Sequence, residues 1–270
     1  MTSSRPYAEV IGDPIDHSKS PVIHGFWLDQ LGIAADYRAT RVTRAELPAF
    51  IAARRADPDW RGCNVTMPLK LDALLLADES TDRATTAGAA NLLAPREGKL
   101  LAANTDVGAV ASLLAPVVKD APPGIVLLGN GGAARAILVA LRLLNVHDVR
   151  IQARDMAAAM KLAVEFGLDE PPSPFDRPVD LGGLINSTPL GMKGHPAIAI
   201  DLSAMPADGW VFDVVTDPVE TDLLAAARLR SLKTIDGIAM LVEQAATSFE
   251  LFFGKPPPRS NDAELLGMLR

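Results

Sequence analysis

Near the middle of the chain, Gly124-Ile-Val-Leu-Leu128 runs into Gly129-Asn-Gly-Gly-Ala-Ala134, and this junction leaves few architectures open. A continuous apolar run is expected of a parallel strand buried on both faces. The glycines that follow read G-x-G-x-x-A and open a helix from Gly131 to Leu144. Gly129 permits a tight turn, Gly131 lets the backbone approach a pyrophosphate, and Ala134 lets helix and strand pack closely. Free N–H groups and the dipole at the helix N-terminus favour an anion there. The same glycines could serve only a tight turn; the strand–loop–helix context favours dinucleotide binding.

The rest of the chain alternates in the same way. Strands are expected at Ala8 to Ile11, Tyr37 to Val42, Cys63 to Thr66, Val149 to Ala153, Gly183 to Asn186, Trp210 to Asp213 and Leu232 to Ile235. Helices are expected over Pro21 to Leu31, from the Thr43-Arg-Ala-Glu46 capping box to about Arg55, and over Leu69 to Leu76. Further helices are expected over Thr105 to Leu114, Met156 to Phe166, Thr221 to Leu229 and Ile238 to Phe253. Ser20 is placed as the N-cap before Pro21. Ala89 to Ala94 and Lys99 to Ala103 flank Arg96-Glu-Gly98 and read as a hairpin. Pro116 to Pro123 and Pro171 to Pro178 read as loops. The alternation predicts an α/β fold with parallel sheets.

Composition narrows the function. Lys plus Arg number 26 against 33 Asp plus Glu, a net charge of −7, which argues against the basic footprint of nucleic-acid binding. The lone Cys63 excludes an intrachain disulfide and a cysteine-based zinc cluster, and is expected in the core. The four histidines lack metal-ligand spacing, so no metal is expected; His17 and His24 read as structural. Met1-Thr-Ser-Ser-Arg-Pro has no apolar leader region, and no apolar run approaches the roughly 18 residues of a membrane span. A cytoplasmic protein without membrane or nucleic-acid partners, monomeric or homodimeric, is expected.

Several polar segments remain. Taken alone, Lys70 in Asn64-Val-Thr-Met-Pro-Leu-Lys70 reads as a solvated helix lysine, and Asn104-Thr-Asp106 as an N-cap. Gly12-Asp-Pro-Ile-Asp-His-Ser-Lys-Ser-Pro21 alone reads as a solvated turn. Together, and in order, they resemble the shikimate dehydrogenase family with its quinate relatives. The resemblance extends through Gly88-Ala-Ala-Asn91, the glycine loop, Asn186-Ser-Thr-Pro-Leu-Gly-Met192, Asp213-Val-Val-Thr-Asp-Pro-Val-Glu-Thr221 and Asp236-Gly-Ile-Ala-Met240 up to Gln244. It covers nearly the whole chain.

The resemblance implies an N-terminal α/β substrate domain over 1–105, completed by 238–270, and a Rossmann NAD(P)-binding domain over 106–237. The active site is expected in the interdomain cleft. It implies Lys70 and Asp106 as the acid/base pair, with Ser18 and Ser20 binding the substrate carboxylate. Asn64, Thr66, Asn91 and Gln244 become further substrate ligands. Gly129, Asn130, Gly131, Gly132, Ala133, Arg154, Asp155, Thr188 and Gly237 become cofactor-binding positions. The expected reaction is hydride transfer between a nicotinamide cofactor and shikimate, quinate or another cyclic polyol acid. A non-catalytic metabolite or nucleotide sensor on the same scaffold is the alternative; Lys70 and Asp106 speak against it, since a sensor needs neither.

Some positions depart from the family pattern. Thr216 stands where the family usually has Tyr, Gly25 where Asn is common after His24, and Leu92 where Thr is common. After the second Rossmann strand the chain reads Ala153-Arg-Asp155 with Ala158, instead of the arginine-rich pattern of NADP users. Asp155 lies near the offset of the acidic residue that holds a ribose hydroxyl, and would repel a 2′-phosphate. It equally suits the cap of the helix beginning near Met156. NAD is therefore expected as the favoured cofactor, with NADP the alternative.

Overall fold

All six residues of Tyr7–Gly12 (β1) are buried, because this strand has neighbours on both sides and is covered on both faces. The structure, a computed structural model, describes residues 5–270. The chain divides into two units: residues up to Asp106 together with Val242–Arg270, and Val107–Leu241.

In the first unit β1 is followed by α1 (Ser20–Gln30), β2 (Asp36–Arg41), α2 (Leu47–Arg55), β3 (Trp60–Val65) and α3 (Lys70–Leu75). Then come β4 (Glu79–Ser80), α4 (Asp82–Ala87), β5 (Leu92–Arg96), β6 (Lys99–Ala103) and the start of α5 (Thr105–Val118). The six-stranded sheet has the order β2-β1-β3-β5-β6-β4. It is mixed: β5 runs antiparallel to β6, as the expected hairpin requires, and also to β3. The two-residue turn Glu97-Gly98, both at positive φ, reverses the chain too tightly for a parallel crossover. One face packs Tyr7, Ile11, Trp60, Cys63, Val65 and Leu93 against Leu47, Ile51 and Leu69. The other packs Ala8, Leu92, Ala94 and Ala103 against Phe252.

Phe252 belongs to α9 (Gly237–Phe253), whose C-terminal half lies in the first unit together with α10 (Asp262–Leu269). There Trp27 meets Phe249 edge-on at 5.6 Å, and His24 lies flat on Tyr37 with ring centroids 3.8 Å apart. Glu9 is buried in β1; Arg54 Nε at 2.7 Å and Thr40 Oγ1 at 2.6 Å satisfy its carboxylate.

The second unit holds β7 (Ile125–Leu128), α6 (Gly132–Leu143), β8 (Val149–Gln152), α7 (Met156–Glu165), β9 (Gly183–Asn186), β10 (Trp210–Asp213), α8 (Asp222–Leu229) and β11 (Lys233–Ile235). All five strands are parallel, in the order β11-β10-β9-β7-β8. The neighbours of β7 along the chain and across the sheet, β8 and β9, flank it on opposite sides. That makes β7 a topological switch point, where a crevice opens beyond the carboxyl ends of the strands. Val126, Leu128, Leu184 and Val211 pack against Leu223 and Leu224 of α8.

Several local expectations are corrected. Ser20 lies inside α1; the N-cap is Lys19, without a side-chain cap. The Thr43 box is half formed: Glu46 Oε2 accepts from Thr43 N at 2.9 Å, but the Thr43 hydroxyl turns to the same carboxylate. Helix α5 runs through Pro116 to Val118, not to Leu114. The hairpin strand begins at Leu92 rather than Ala89. The short α4 was not foreseen; Thr81 caps it and Gly88, at φ 61°, ends it. Among the described residues no helix is long and apolar enough to cross a membrane.

His24 supplies a stability prediction. Burial lowers its pKa from 6.5 to about 3, so the folded state holds the ring neutral. The contribution of the neutral ring is present above about pH 6.5 and lost as pH falls toward 3. Between pH 7 and 5 this one group should cost about 2 kcal/mol of stability. Urea unfolding at both pH values should show a smaller drop in His24→Phe than in the parent chain.

Candidate active site

Lys70 opens α3, and its ammonium donates to Asp106 Oδ2 at 2.7 Å. The two side chains are 15% and 5% exposed, so the pair is largely screened from water and its attraction is correspondingly stronger. Asp106 stands in the first turn of α5, where the helix dipole favours a carboxylate. Its other oxygen accepts from Asn91 Nδ2 at 2.8 Å. That nitrogen also lies 2.8 Å from Thr105 Oγ1 and 3.4 Å from Gln244 Oε1, while Asn91 Oδ1 accepts from Thr105 N at 2.7 Å. The Asn91 amide thus fixes the first turn of α5 and the carboxylate on it.

Asn64, on β3, extends the same network. Its Nδ2 donates to Ser248 Oγ at 2.8 Å and lies 3.3 Å from the main-chain oxygen of Asn91. Its Oδ1 accepts from the Tyr37 hydroxyl at 2.7 Å. Burial pushes the Tyr37 phenol well above the ordinary tyrosine range. Ser248 Oγ lies 3.3 Å from Thr105 Oγ1 and donates to Gln244 O at 2.9 Å. Tyr37, Thr105 and Ser248 were not singled out from sequence. Ser248 stands one helical turn after Gln244, the one spacing that could have drawn attention to it.

Ser18, Ser20 and Thr66 sit beyond that network, on segments following β1 and β3, which are neighbours in the sheet. Thr66 N donates to Ile11 O at 2.9 Å and Asp13 N to Met67 O at 3.1 Å, so the two strand ends are laced together. Gly12 allows this approach: a Cβ there would lie 2.5 Å from Thr66 Cγ2 and 2.9 Å from Met67 O. Ser20 is buried, and its N–H donates to Ser18 Oγ at 3.3 Å. His17 is exposed, whereas His24 and Cys63 are buried.

In the second unit the glycine loop leaves β7 at the switch point. Gly129 has φ 101°, and a Cβ there would meet Ser187 Oγ at 2.8 Å and Thr188 Cγ2 at 2.9 Å. No side chain caps the start of α6 at Gly131, and a Cβ on Gly131 would meet nothing within 4 Å. Ala134 is buried against the strand, and Gly132 and Ala133 form the first turn. This small-residue loop at an uncapped helix start fits a dinucleotide phosphate. Asn130 Nδ2 donates to Asp155 O at 3.2 Å, tying the loop to the end of β8. Arg154 is exposed and makes no hydrogen bond or ion pair among the described residues.

Thr188 donates its hydroxyl to Asn186 Oδ1 at 2.7 Å. Asn186 in turn donates to Asp213 Oδ1 at 2.9 Å, and Thr221 Oγ1 donates to Asp213 Oδ2 at 2.7 Å. Burial raises the Asp213 carboxyl above its ordinary value; the bonds from Thr221, Val215 and Asn186 oppose the rise. Gly237 is hemmed in: a Cβ would fall 2.2 Å from Val215 O. Thr216 follows β10 and is partly exposed. Among the described residues no cluster of three His, Cys, Asp or Glu could hold a metal ion.

Comparison with known proteins identifies the family. The model for the shikimate dehydrogenase substrate binding domain matches residues 10–93, and that for the shikimate 5′-dehydrogenase C-terminal domain matches 237–265. A shikimate dehydrogenase (NADP(+)) of Sphingopyxis alaskensis is 48% identical over 98% of this chain and 97% of its own. Shikimate 5-dehydrogenase from Thermus thermophilus, solved with NADP(H) and shikimate, is 32% identical with a TM-score of 0.85, covering 98% of this chain and all of its own. Quinate dehydrogenase from Corynebacterium glutamicum, solved with NAD, is 30% identical with a TM-score of 0.84, covering 98% of this chain and 99% of its own.

The NAD preference expected from Asp155 is not supported by the 48% identical S. alaskensis protein, which is named for NADP(+); the relative solved with NAD is the 30% identical quinate dehydrogenase. Asp155 Oδ1 accepts from Ala158 N at 3.0 Å and caps α7. With the 48% identical relative spanning almost its entire length, the chain belongs to the shikimate dehydrogenase family.

Proposed function

We propose that this chain interconverts shikimate and 3-dehydroshikimate with NADP(H), using Lys70 and Asp106 to handle the proton. The observation that carries the reading is the 2.7 Å contact between the Lys70 ammonium and an Asp106 carboxylate itself held by Asn91. When bound, the nicotinamide supplies hydride exchange at the alcohol carbon. The proton on the alcohol oxygen is left to the protein. In oxidation Lys70 takes it as the neutral amine and becomes the ammonium; in ketone reduction the ammonium returns it, and Asp106 keeps the group oriented throughout. Asn64, Asn91, Thr66 and Gln244 supply the fixed polar atoms that a polyol ring needs. Ser18 and Ser20 are assigned to the carboxylate. They flank the start of α1, which has no side-chain cap, so the helix dipole adds to their two hydroxyls.

The dinucleotide phosphates are assigned to Gly131, Gly132 and Ala133. The NADP reading rests on two features at the end of β8: the Asp155 carboxylate is engaged as a cap, and the neighbouring Arg154 guanidinium is open to a 2′-phosphate. Quinate is the second substrate to assay, given the related C. glutamicum enzyme and the small Thr216 side chain.

Three measurements test this reading. Lys70→Ala should lower kcat by about 10²–10⁴-fold while sparing cofactor binding; near-normal turnover at saturating shikimate would sink the assignment. Replacing Ser18 and Ser20 together by Ala should raise the shikimate KM by about tenfold or more and leave the cofactor Kd unchanged. Loss of nucleotide affinity with an unchanged KM would place the serines against the other ligand. Calorimetric titration should find NADP+ about tenfold tighter than NAD+, with the gap closing in Arg154→Ala. Asp155→Ser keeps a capping side chain; if it instead weakens NAD+ selectively, Asp155 holds the ribose and the NAD reading returns.

A further inference from the structure

The hydrogen bonds around Asn64 leave its amide only one orientation. The main-chain oxygen of Asn91 can only accept, so the Asn64 atom 3.3 Å from it is the nitrogen. The second hydrogen of that nitrogen goes to Ser248 Oγ at 2.8 Å, and Ser248 sends its own hydrogen to Gln244 O at 2.9 Å. The atom facing Tyr37 at 2.7 Å is therefore Oδ1, and the phenol must donate to it. The phenol's direction is set by its ring, which lies flat against His24 at an interplanar angle of 3°. Burial keeps that phenol protonated across any working pH, so it is a permanent donor.

After these bonds the amide has no donor left. Its remaining capacity among the described residues is one lone pair on Oδ1. We propose that Tyr37 and Ser248 are positioning residues that lock Asn64 as a hydrogen-bond acceptor, so that this position reads a substrate hydroxyl and disfavours a carbonyl or ether oxygen there. The proposal rests on the reading of Asn64 as a substrate ligand and adds the sense in which it recognises its partner. Neither positioning residue touches the substrate in this account; both act through the amide. Without the phenol or the serine hydroxyl, Asn64 can rotate and present N–H groups instead.

The test is steady-state kinetics on the full chain, with shikimate and cofactor varied separately and thermal melting recorded alongside. Tyr37→Phe keeps the ring on His24 and removes only the donor. It should raise the shikimate KM by about three- to tenfold, with the cofactor KM unchanged. Ser248→Ala should do the same and Ser248→Thr should restore the parent value. Asn64→Ala should raise the shikimate KM at least as much, and Tyr37→Phe added to it should have no further effect, because the phenol works through the amide. An unchanged KM in Tyr37→Phe, or full additivity with Asn64→Ala, would overturn the proposal while leaving Asn64 as a ligand. An unchanged KM in Asn64→Ala would overturn both.

Discussion

One continuous chain of hydrogen bonds links the polar side chains of the candidate site in the first unit, and the site geometry follows from it. The chain runs from Tyr37 through Asn64, Ser248, Thr105 and Asn91 to Asp106 and Lys70. An unpaired buried amide or hydroxyl costs about 1–3 kcal/mol, so each member is held by its neighbours' need as much as by its own. The participants come from β2, β3, α3, α9, the start of α5 and the segment before β5. No two of these elements can shift without leaving a donor or acceptor unpaired. This rigidity suits the proton-handling role proposed for Lys70 and Asp106, since a displaced side chain would lose its alignment with the reacting oxygen.

The second unit solves a similar problem with fewer side chains. Its strands end in loops that a packed sheet brings side by side, and Asp213 ties two of them together. One carboxylate accepts from Asn186, from the Val215 main chain and from Thr221. Those bonds offset the burial that would otherwise favour a neutral carboxyl. Close approach of Gly129 to Ser187 then sets the spacing of the loops after β7 and β9.

Elements with strong periodic patterns were legible at once. The apolar run before the glycine loop is a buried parallel strand, and the α6 and α7 spans differ from expectation by about one residue at each end. Short or competing signals were not. The six residues of α4 carry no apolar stripe, and only a capping threonine and a left-handed glycine mark its limits. Pro116 reads as a helix breaker locally, yet α5 continues past it. The β5–β6 hairpin was read from its turn residues, but its strand β5 begins three residues later than expected and also pairs antiparallel with β3. In the candidate site, motif residues such as Lys70, Asn91 and Asp106 stood out, but Tyr37 and Ser248 belong to no motif and gain meaning only from the atoms they meet.

From sequence alone came the residue types, their order and the α/β class, because periodicity and glycine placement act over a few residues. The family could be recognised for the same reason: its motifs are short and contiguous. What needed the tertiary structure was every choice between two local roles. Asp155 was expected either to cap a helix or to hold a ribose, and the structure shows the first role, with its Oδ1 3.0 Å from Ala158 N. Lys70 could be a solvated helix lysine, and its contact with Asp106 brings it under partial cover instead. Such choices depend on which partner lies within about 3 Å, and partners from positions as far apart as Asn64 and Ser248 meet only when the sheet and the last long helix pack together.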